Sequence, residues 1–191
     1  MYHISKDIRA QRSAQRICEA VMTCAKQKPF AEITISDLNR EYLISRTTFY
    51  RLFDNTVDVL EYMVDRMGQE VLLKIRGDSP KELTINAITA LKERQELIEL
   101  LSVSGHLHLL LKKQEEYLPF SKLMDGLKFG DEYEYFHSIL THIIPTAMEI
   151  WRRDGMTDCP EKVYEKLCRS IQTLSVWFSI YDEKKANFLC D

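Results

Sequence analysis

The sequence predicts an all-α protein, and two patterns along it support this prediction. Apolar side chains recur at intervals of three and four residues in almost every segment, as on one face of a helix, and almost nowhere in strict alternation. Residues that cap helices, mainly Ser, Thr and Asn, stand repeatedly where these segments begin. From the periodic segments we expect about nine helices. A chain of 191 residues can enclose a hydrophobic core without disulfide or metal support.

The first 54 residues contain three predicted helices. The first spans about residues 14–25, where apolar side chains share one face, and it ends before Pro29, which cannot continue it. Thr34 caps a short second helix with Asp37 at its third position, as in a capping box. Ser45 caps a short third helix directly afterwards. The apolar face of the first helix consists of Ile17, Ala20, Val21 and Cys24.

The sequence after residue 54 predicts longer helices. Asn55 or Thr56 caps a fourth helix that reaches about Arg76. Ser79 followed by Pro80 marks the start of another helix, because proline fits the first helical position. Further helices are expected up to about residue 103, over 106–127, over 132–153 and from 160 onward.

Composition narrows the class of protein. Apolar residues make up 45% and charged residues 29%, which is typical of a globular chain and not of a disordered or fibrous one. The longest run without Asp, Glu, Lys or Arg has fourteen residues, whereas a membrane span needs about 20 apolar residues. The N-terminus lacks the apolar stretch of a signal peptide, and five cysteines without a Cys-x-x-Cys motif do not indicate a disulfide framework. We expect a cytoplasmic protein with no membrane partner.

Charge is distributed unevenly along the chain, although the formal net charge is only −3. Residues 1–55 carry nine Lys and Arg against six Asp and Glu, and the rest carries seventeen against twenty-three. A basic segment on an acidic remainder indicates a polyanionic partner. Chance asymmetry is the alternative explanation, so the motifs have to decide between the two.

The second and third predicted helices have the lengths and the short join of a helix-turn-helix, with residues 40–44 at the turn. In such units the first residues of the second helix meet base edges, and neighbouring hydroxyl groups hold phosphates. We therefore expect Arg46, Thr47 and Thr48 to contact bases. The hydroxyl groups expected near phosphates belong to Thr34, Ser36, Ser45 and Tyr50.

Three arginines precede this unit at helical spacing. Arg9, Arg12 and Arg16 stand at i, i+3 and i+7, so they share one side of the leading helix. All three are candidates for further phosphate contacts. We expect Arg9 and Arg12 in particular to contact the DNA. An ordinary solvated helix face is an equally good explanation of their spacing.

Three motifs between residues 27 and 60 stand in a fixed order. They read Gln27-Lys28-Pro29-Phe30-Ala31-Glu32-Ile33-Thr34-Ile35-Ser36-Asp37-Leu38, Ile44-Ser45-Arg46-Thr47-Thr48-Phe49-Tyr50-Arg51-Leu52-Phe53 and Asp58-Val59-Leu60. Their order resembles the DNA-binding head of the TetR family of bacterial transcriptional regulators. Two places depart from that pattern: Thr56 stands where many relatives have the lysine of a phosphate contact, and Tyr42-Leu43 stands where the family has the Ala-Gly of the turn. The chain must therefore turn there without the residue that takes a positive φ at no cost.

The resemblance implies two parts. Residues 1–54, called the head, would be a three-helix helix-turn-helix domain that binds DNA. Residues 55–191, called the body, would be a helical bundle that dimerises and binds an effector. The resemblance further implies a homodimer on a palindromic double-stranded operator, acting as a repressor that the effector releases. The effector is a small molecule of unknown identity or, alternatively, a protein partner, and the sequence does not identify the residues that line a ligand pocket.

The last two helices are the expected dimer interface. Each carries a long apolar stripe, which a lone surface helix would not leave in water. Paired with the same helices of a second chain, they would form a four-helix bundle with two-fold symmetry. The alternative is that both stripes are buried inside one subunit. The interface residues expected on these stripes are Ile143, Ala147, Trp151, Leu167, Ile171, Leu174 and Phe178.

Histidines at positions 106, 108, 137 and 142 raise the alternative of a helical metal- or substrate-binding enzyme. The motif Glu134-x-x-His137 occurs once, whereas a di-iron bundle needs two such motifs and two further carboxylates. The sequence contains no hydrolase or nucleotide-binding motif. We therefore expect no enzyme activity, no metal and no cofactor.

Overall fold

The computed structural model describes residues 1–75, 77–110 and 133–188, in which helices are joined by turns. Within these ranges no strand forms beyond a single bridge between Tyr2 and Phe53, so the all-α prediction is confirmed. No helix in the described part of the chain is both long and apolar enough to cross a membrane. The helices are α1 (Ile8–Ala25), α2 (Ile35–Tyr42), α3 (Arg46–Tyr50), α4 (Thr56–Lys74), α5 (Pro80–Lys92), α6 (Gln95–Val103), α7 (Tyr133–Arg153) and α8 (Pro160–Phe188), with a 3₁₀ turn at Phe30–Glu32.

Four predicted caps are confirmed, and each one fixes a helix start. In each, the capping side chain accepts a hydrogen bond of 3.1–3.3 Å from the backbone N–H three residues later. These bonds satisfy N–H groups that a helix leaves unpaired at its start. The capping residues are Thr34, Ser45, Asn55 and Ser79. The helix expected over residues 106–127 falls mostly outside the described residues, as does Arg76 at the expected end of the fourth helix.

α1 lies at the centre of the helical packing. It contacts α2, α4 and α6, so it joins the head to the body. Its predicted apolar face is buried, with exposures of 0–2%. α4 packs on α5, α5 on α8, and α7 on both α6 and α8. The result is one hydrophobic core that runs from the head into the body.

Aromatic rings connect α3 to α4. Phe49 in α3 and Phe53 just after it are fully buried, with ring centroids 5.9 Å apart. Phe53 also meets the ring of Tyr62 in α4 edge-on at 5.9 Å, and Tyr2 packs on Tyr62 at 5.3 Å. Such pairs contribute about 0.5–1.5 kcal/mol each beyond the area that they bury. The short helix α3 is thus held on a buried aromatic base.

The turn between α2 and α3 places Leu43 in the left-handed region, with φ 54° and ψ 35°. The departure from the family pattern predicted this conformation, which glycine takes at no steric cost. Ile44 anchors the turn with only 4% of its surface exposed, and the Asn39 side chain donates to the Ile44 carbonyl at 3.1 Å. The Leu43 side chain is 83% exposed, so its packing contributes almost nothing to offset the energetic cost of the left-handed backbone.

Replacing Leu43 with glycine should stabilise the protein. Glycine removes a left-handed penalty of about 1 kcal/mol, and little buried area is lost because the leucine side chain lies in solvent. We expect the melting temperature to rise by roughly 2–4 °C. The control Leu43→Ala keeps a Cβ atom and should melt close to the wild type. A Leu43→Gly protein that melts at or below the wild-type temperature would contradict this account of the turn.

Candidate nucleic-acid interface

Asp37 fixes the start of α2 against the end of α1. One of its carboxylate oxygens accepts from the backbone N–H and the hydroxyl of Thr34, at 2.8 and 2.7 Å, and from the ammonium of Lys28. The other oxygen accepts from Arg40 at 3.2 Å. Asp37 is 9% exposed, so these bonds satisfy a carboxylate that has little access to water. The position of α2 therefore depends on this side chain.

The hydrogen bonds to Asp37 also shift its titration. The Lys28 ammonium first, and then the hydroxyl and N–H of Thr34, hold the pKa of the Asp37 carboxyl well below its ordinary value of 3.8. A carboxyl whose pKa is lower in the folded chain than in the unfolded chain stabilises the fold at every pH above its unfolded pKa. That contribution decreases as the pH falls from about 4 toward the folded pKa.

The first turn of α3 presents polar side chains to solvent. Arg46 and Thr47 are exposed, and Thr48 is half-buried. Tyr50, at the end of the helix, is 56% exposed. The Ser45 hydroxyl caps the helix and shares a hydrogen bond of 2.9 Å with the Thr48 hydroxyl. The three side chains expected at bases are thus neighbours at the start of one short helix.

Arg46 and Ser36 are brought together across the helix-turn-helix. The Arg46 guanidinium donates to the Ser36 hydroxyl oxygen at 3.3 Å. Ser36 is the acceptor in this bond and keeps its own proton for another acceptor, such as a phosphate oxygen. Arg46 retains further N–H donors, which it can direct at a base edge.

The hydroxyl of Thr34 forms its hydrogen bonds within the head. The residue is exposed, but its hydroxyl donates to the Asp37 carboxylate and accepts from the Asp37 backbone N–H. A hydroxyl has one proton to donate, so Thr34 has none left for a phosphate. In the chain without DNA, Thr34 thus positions the start of α2, and its phosphate contact stays a prediction.

The arginines of α1 divide into two groups. Arg16 donates to the backbone carbonyl of the last residue of α2 at 3.1 Å, so it braces the end of that helix. Arg9 and Arg12 are exposed, and neither forms an ion pair with the residues that the structure describes. Arg51, just after α3, is likewise exposed and forms no ion pair within the described ranges. Guanidinium groups without carboxylate partners are suited to phosphates.

The stripe predicted at a dimer interface is divided between core and surface. Ala147 and Trp151 of α7 are only 7% and 3% exposed within a single subunit. A side chain that is already buried has no area left to bury against a second chain. Within one subunit these two residues belong to the core, and their place in a dimer interface stays a prediction. Ile143 and Leu167 are half-buried.

The second half of α8 exposes the rest of the stripe. Ile171, Leu174 and Phe178 are 47%, 56% and 59% exposed, and Trp177, which the seam pattern does not select, is 58% exposed beside them. We call these four residues the α8 patch. They lie within about 120° of the helix circumference, because each residue advances by about 100°. Exposed apolar patches of this kind occur at sites of interaction with proteins, membranes or ligands.

Several residues that hold the site have no local sequence signal. They are Lys28, which pairs with Asp37, Arg16, which braces α2, and Asn39, which braces the turn. The partners of Lys28 and Arg16 follow from how α1 packs on α2, which local spacing does not reveal. Only the capping box at Asp37 pointed to one of these contacts. A carboxylate held at a helix start with little access to water requires a cation nearby, and here that cation is Lys28.

Within the described residues the histidines do not form a metal site. No group of three His, Cys, Asp or Glu side chains in this part of the chain is close enough to hold an ion. The His106 ring packs edge-on against Phe30 at 5.4 Å, and Nδ1 of His142 lies 2.7 Å from the Ser138 carbonyl oxygen. The side chain of His137 lies outside the described residues.

Replacing Asp37 with asparagine should destabilise the protein in a pH-dependent way. At neutral pH the variant leaves Lys28 without its carboxylate, so it should melt below the wild type. Below about pH 4 the wild type loses a contribution that the variant does not have, so the two melting temperatures should converge. Melting curves from neutral to acidic pH measure this gap. Asp154→Asn, at an exposed aspartate, is the control, and a gap for Asp37→Asn that stays constant over this range would contradict the role of the charge.

Two solved structures share this architecture. The protein Lin0861 from Listeria innocua superposes with a TM-score of 0.76 at 15% identity, over 90% of this chain and 96% of its own. A TetR transcriptional regulator from Streptococcus agalactiae superposes with a TM-score of 0.65 at 14% identity, over 84% of this chain and 94% of its own. No family model and no curated protein matches the sequence. The likeness is one of fold and extends over head and body together. This chain has the fold of a TetR transcriptional regulator.

Proposed function

We propose that this chain is a DNA-binding transcriptional regulator of the TetR family and not an enzyme. The observation that carries the proposal is the start of α3, where Arg46 and Thr47 are exposed while Phe49 beneath them is fully buried. A recognition helix must present polar side chains to a DNA groove while its own position stays fixed. The fold shared with a TetR regulator supports the same assignment. Such a protein acts on DNA in the cytoplasm.

In the proposed complex, residues in the first turn of α3 contact the bases. Arg46 carries the planar guanidinium that pairs with O6 and N7 of guanine in the major groove. Thr47 offers a hydroxyl and a methyl group to base edges. Thr48 shares its hydroxyl with Ser45, so its methyl group is the part left for a base, such as the methyl of thymine.

Phosphate contacts surround these base contacts. Ser36 has a hydroxyl proton that the bond from Arg46 does not use, and Tyr50 is exposed at the end of α3. Arg9 and Arg12 add positive charge at the start of α1. Such contacts fix the position of the protein on DNA and make binding sensitive to salt, but they do not read sequence.

A homodimer formed through the α8 patch gives the molecule two heads. The two-fold symmetry of the protein then calls for a palindromic operator, because each head meets one half-site. Half-sites in successive major grooves lie about 34–36 Å apart, one turn of the DNA. We propose that the wild-type protein binds DNA in this form and represses transcription.

α4 is the element that can carry an effector signal to the heads. It begins at Thr56, after the short loop that follows α3, and runs for 19 residues to Lys74. A small-molecule effector that shifts α4 changes the spacing of the heads and thereby releases the operator. Moving nearly all molecules from the binding to the non-binding arrangement requires a preference of about 10⁴-fold for the latter.

Substitutions in α3 should separate base contacts from phosphate contacts. Arg46→Ala should weaken operator binding by about 1–3 kcal/mol and relax the preference at one base pair, because one base contact is lost. Tyr50→Phe should weaken binding to all sequences alike. Anisotropy titrations with a selected operator and its single base-pair variants measure both effects. Arg153→Ala, at an exposed arginine of α7, is the matched control and should bind as the wild type does.

An Arg46→Ala protein with unchanged sequence preference would contradict the base contact. The same titrations repeated at several salt concentrations should show affinity falling steeply as salt rises, since each phosphate contact releases bound cations. Binding that does not depend on salt would contradict the interface as a whole.

Charges introduced in the α8 patch should dissociate the dimer. Leu174→Glu combined with Phe178→Glu places two carboxylates where a second chain would remove them from water. We expect sedimentation of a monomer, together with weaker operator binding because the two heads are no longer linked. Gln172→Glu with Thr173→Glu adds the same charge on other sides of α8 and serves as the control. A folded double variant that sediments like the wild type would rule out this interface.

A further inference from the structure

Residues 2–5, which we call the arm, precede α1 and lie in an extended conformation on the head. Tyr2 and Ile4 are half-buried and pack against the hydrophobic core, whereas His3 and Ser5 are exposed. Burial of every second side chain is typical of an extended chain that lies along a surface. The arm is therefore packed on the protein, although it belongs to no helix.

The arm runs beside the loop that follows α3. Tyr2 and Phe53 form the isolated bridge, and the backbone N–H of His3 donates to the Leu52 carbonyl at 2.8 Å. The Nε2 atom of His3 also lies 3.1 Å from Oδ1 of Asp54. These contacts hold the residues through which α3 passes into α4.

Tyr2 anchors the arm on α4. Its hydroxyl donates to the carboxylate of Asp65, which is only 3% exposed, and its ring packs edge-on against Tyr62 at 5.3 Å. Asp65 and Tyr62 are three positions apart, so both lie on one side of α4. A carboxylate with so little access to water depends on its hydrogen-bond donors. The anchor therefore uses both the ring and the hydroxyl of the tyrosine.

The recognition helix α3 needs support from outside, because it is only five residues long. An isolated helix is marginally stable in water even at about 12 residues. The Ser45 cap fixes the start of α3. At its end, the N–H groups of Leu52 and Phe53 both donate to the Phe49 carbonyl at 2.9 Å, and the arm holds these same two residues from the other side.

The start of α1 follows directly after the arm. The Asp7 side chain caps this helix and accepts from the N–H of Arg9 at 2.7 Å. Arg9 and Arg12, in the first turns of α1, are the arginines proposed above to contact phosphates. Because the arm connects the end of α3 to the start of α1, its position affects how the base contacts and these phosphate contacts are spaced.

We propose that Tyr2 is a positioning residue for DNA binding, an inference that rests on the function proposed above. Its contacts with Asp65 and Tyr62 hold the arm on α4, and the arm holds the end of the recognition helix. Tyr2 itself needs no contact with DNA. Operator affinity then falls in proportion to the fraction of molecules whose arm is in place.

Amide hydrogen exchange of the free protein, followed by NMR, tests the anchor without DNA. Tyr2→Phe keeps the ring and loses the hydroxyl, so the N–H groups of Leu52 and Phe53 should exchange about tenfold faster. Tyr2→Ala loses both and should show a larger increase. The N–H groups of α6 should exchange as in the wild type in both variants. Tyr164→Phe removes the hydroxyl of another half-buried tyrosine, in α8, and is the control.

An unchanged rate at Leu52 and Phe53, or an equal increase over the whole chain, would overturn the proposal. Tyr2→Phe decides the matter if Tyr2→Ala does not fold. Asp65→Asn, alone and combined with Tyr2→Phe, tests the hydrogen bond itself. The increase in the double variant should be smaller than the product of the two single increases, because both changes act on one contact. Increases that multiply would show that the two side chains act independently, against the proposal.

Operator binding by the same proteins separates this inference from the proposed function. We expect Tyr2→Ala to bind operator about fivefold more weakly or worse, and Tyr164→Phe to bind as the wild type does. The loss should be the same for single base-pair variants of the operator, because Arg46 is intact, whereas Arg46→Ala changes the preference. If the wild type binds operator and Tyr2→Ala binds it equally well, the inference fails and the DNA-binding function stands. If the wild type binds no operator, the proposed function has failed, and the inference with it.

Discussion

The buried carboxylate of Asp37 is the contact on which the geometry of the head depends. It joins Lys28, in the loop after α1, to the first turn of α2, and α2 carries the turn that places α3. A carboxylate in this position must keep its cation and its donors, because an unpaired buried charge strongly destabilises a fold. The interactions at Asp37 therefore determine where the polar end of the proposed recognition helix points.

The head and the body share one hydrophobic core. α1 packs on α2 within the head and on α4 and α6 within the body. The aromatic contacts among Phe49, Phe53 and Tyr62 continue the same packing from α3 into α4. Close-packed interiors transmit displacement, so a movement of α4 also moves α3. This continuity gives a physical basis for regulation of the head through the body.

Local features of the fold could be predicted from the sequence, whereas partners distant in the chain could not. Caps such as Thr34 and Ser45 depend on neighbours three residues away, and the left-handed turn at Leu43 followed from a missing glycine. The pairing of Asp37 with Lys28, nine residues earlier in the chain, appears only once α2 is packed against the end of α1. Trp151 and Leu174 stand on similar apolar stripes, and a stripe alone does not tell whether it is buried within a subunit or exposed.

The most direct test of the central claim, that this chain reads DNA as a two-fold dimer, is selection from a random pool of double-stranded DNA by the purified protein. The account predicts enrichment of a palindrome whose half-sites are centred about one helical turn apart, or a multiple of it. It also predicts that the Arg46→Ala protein enriches a palindrome with relaxed sequence at one position in each half-site. No enrichment from the pool, or enrichment of a sequence without two-fold symmetry, would contradict the account.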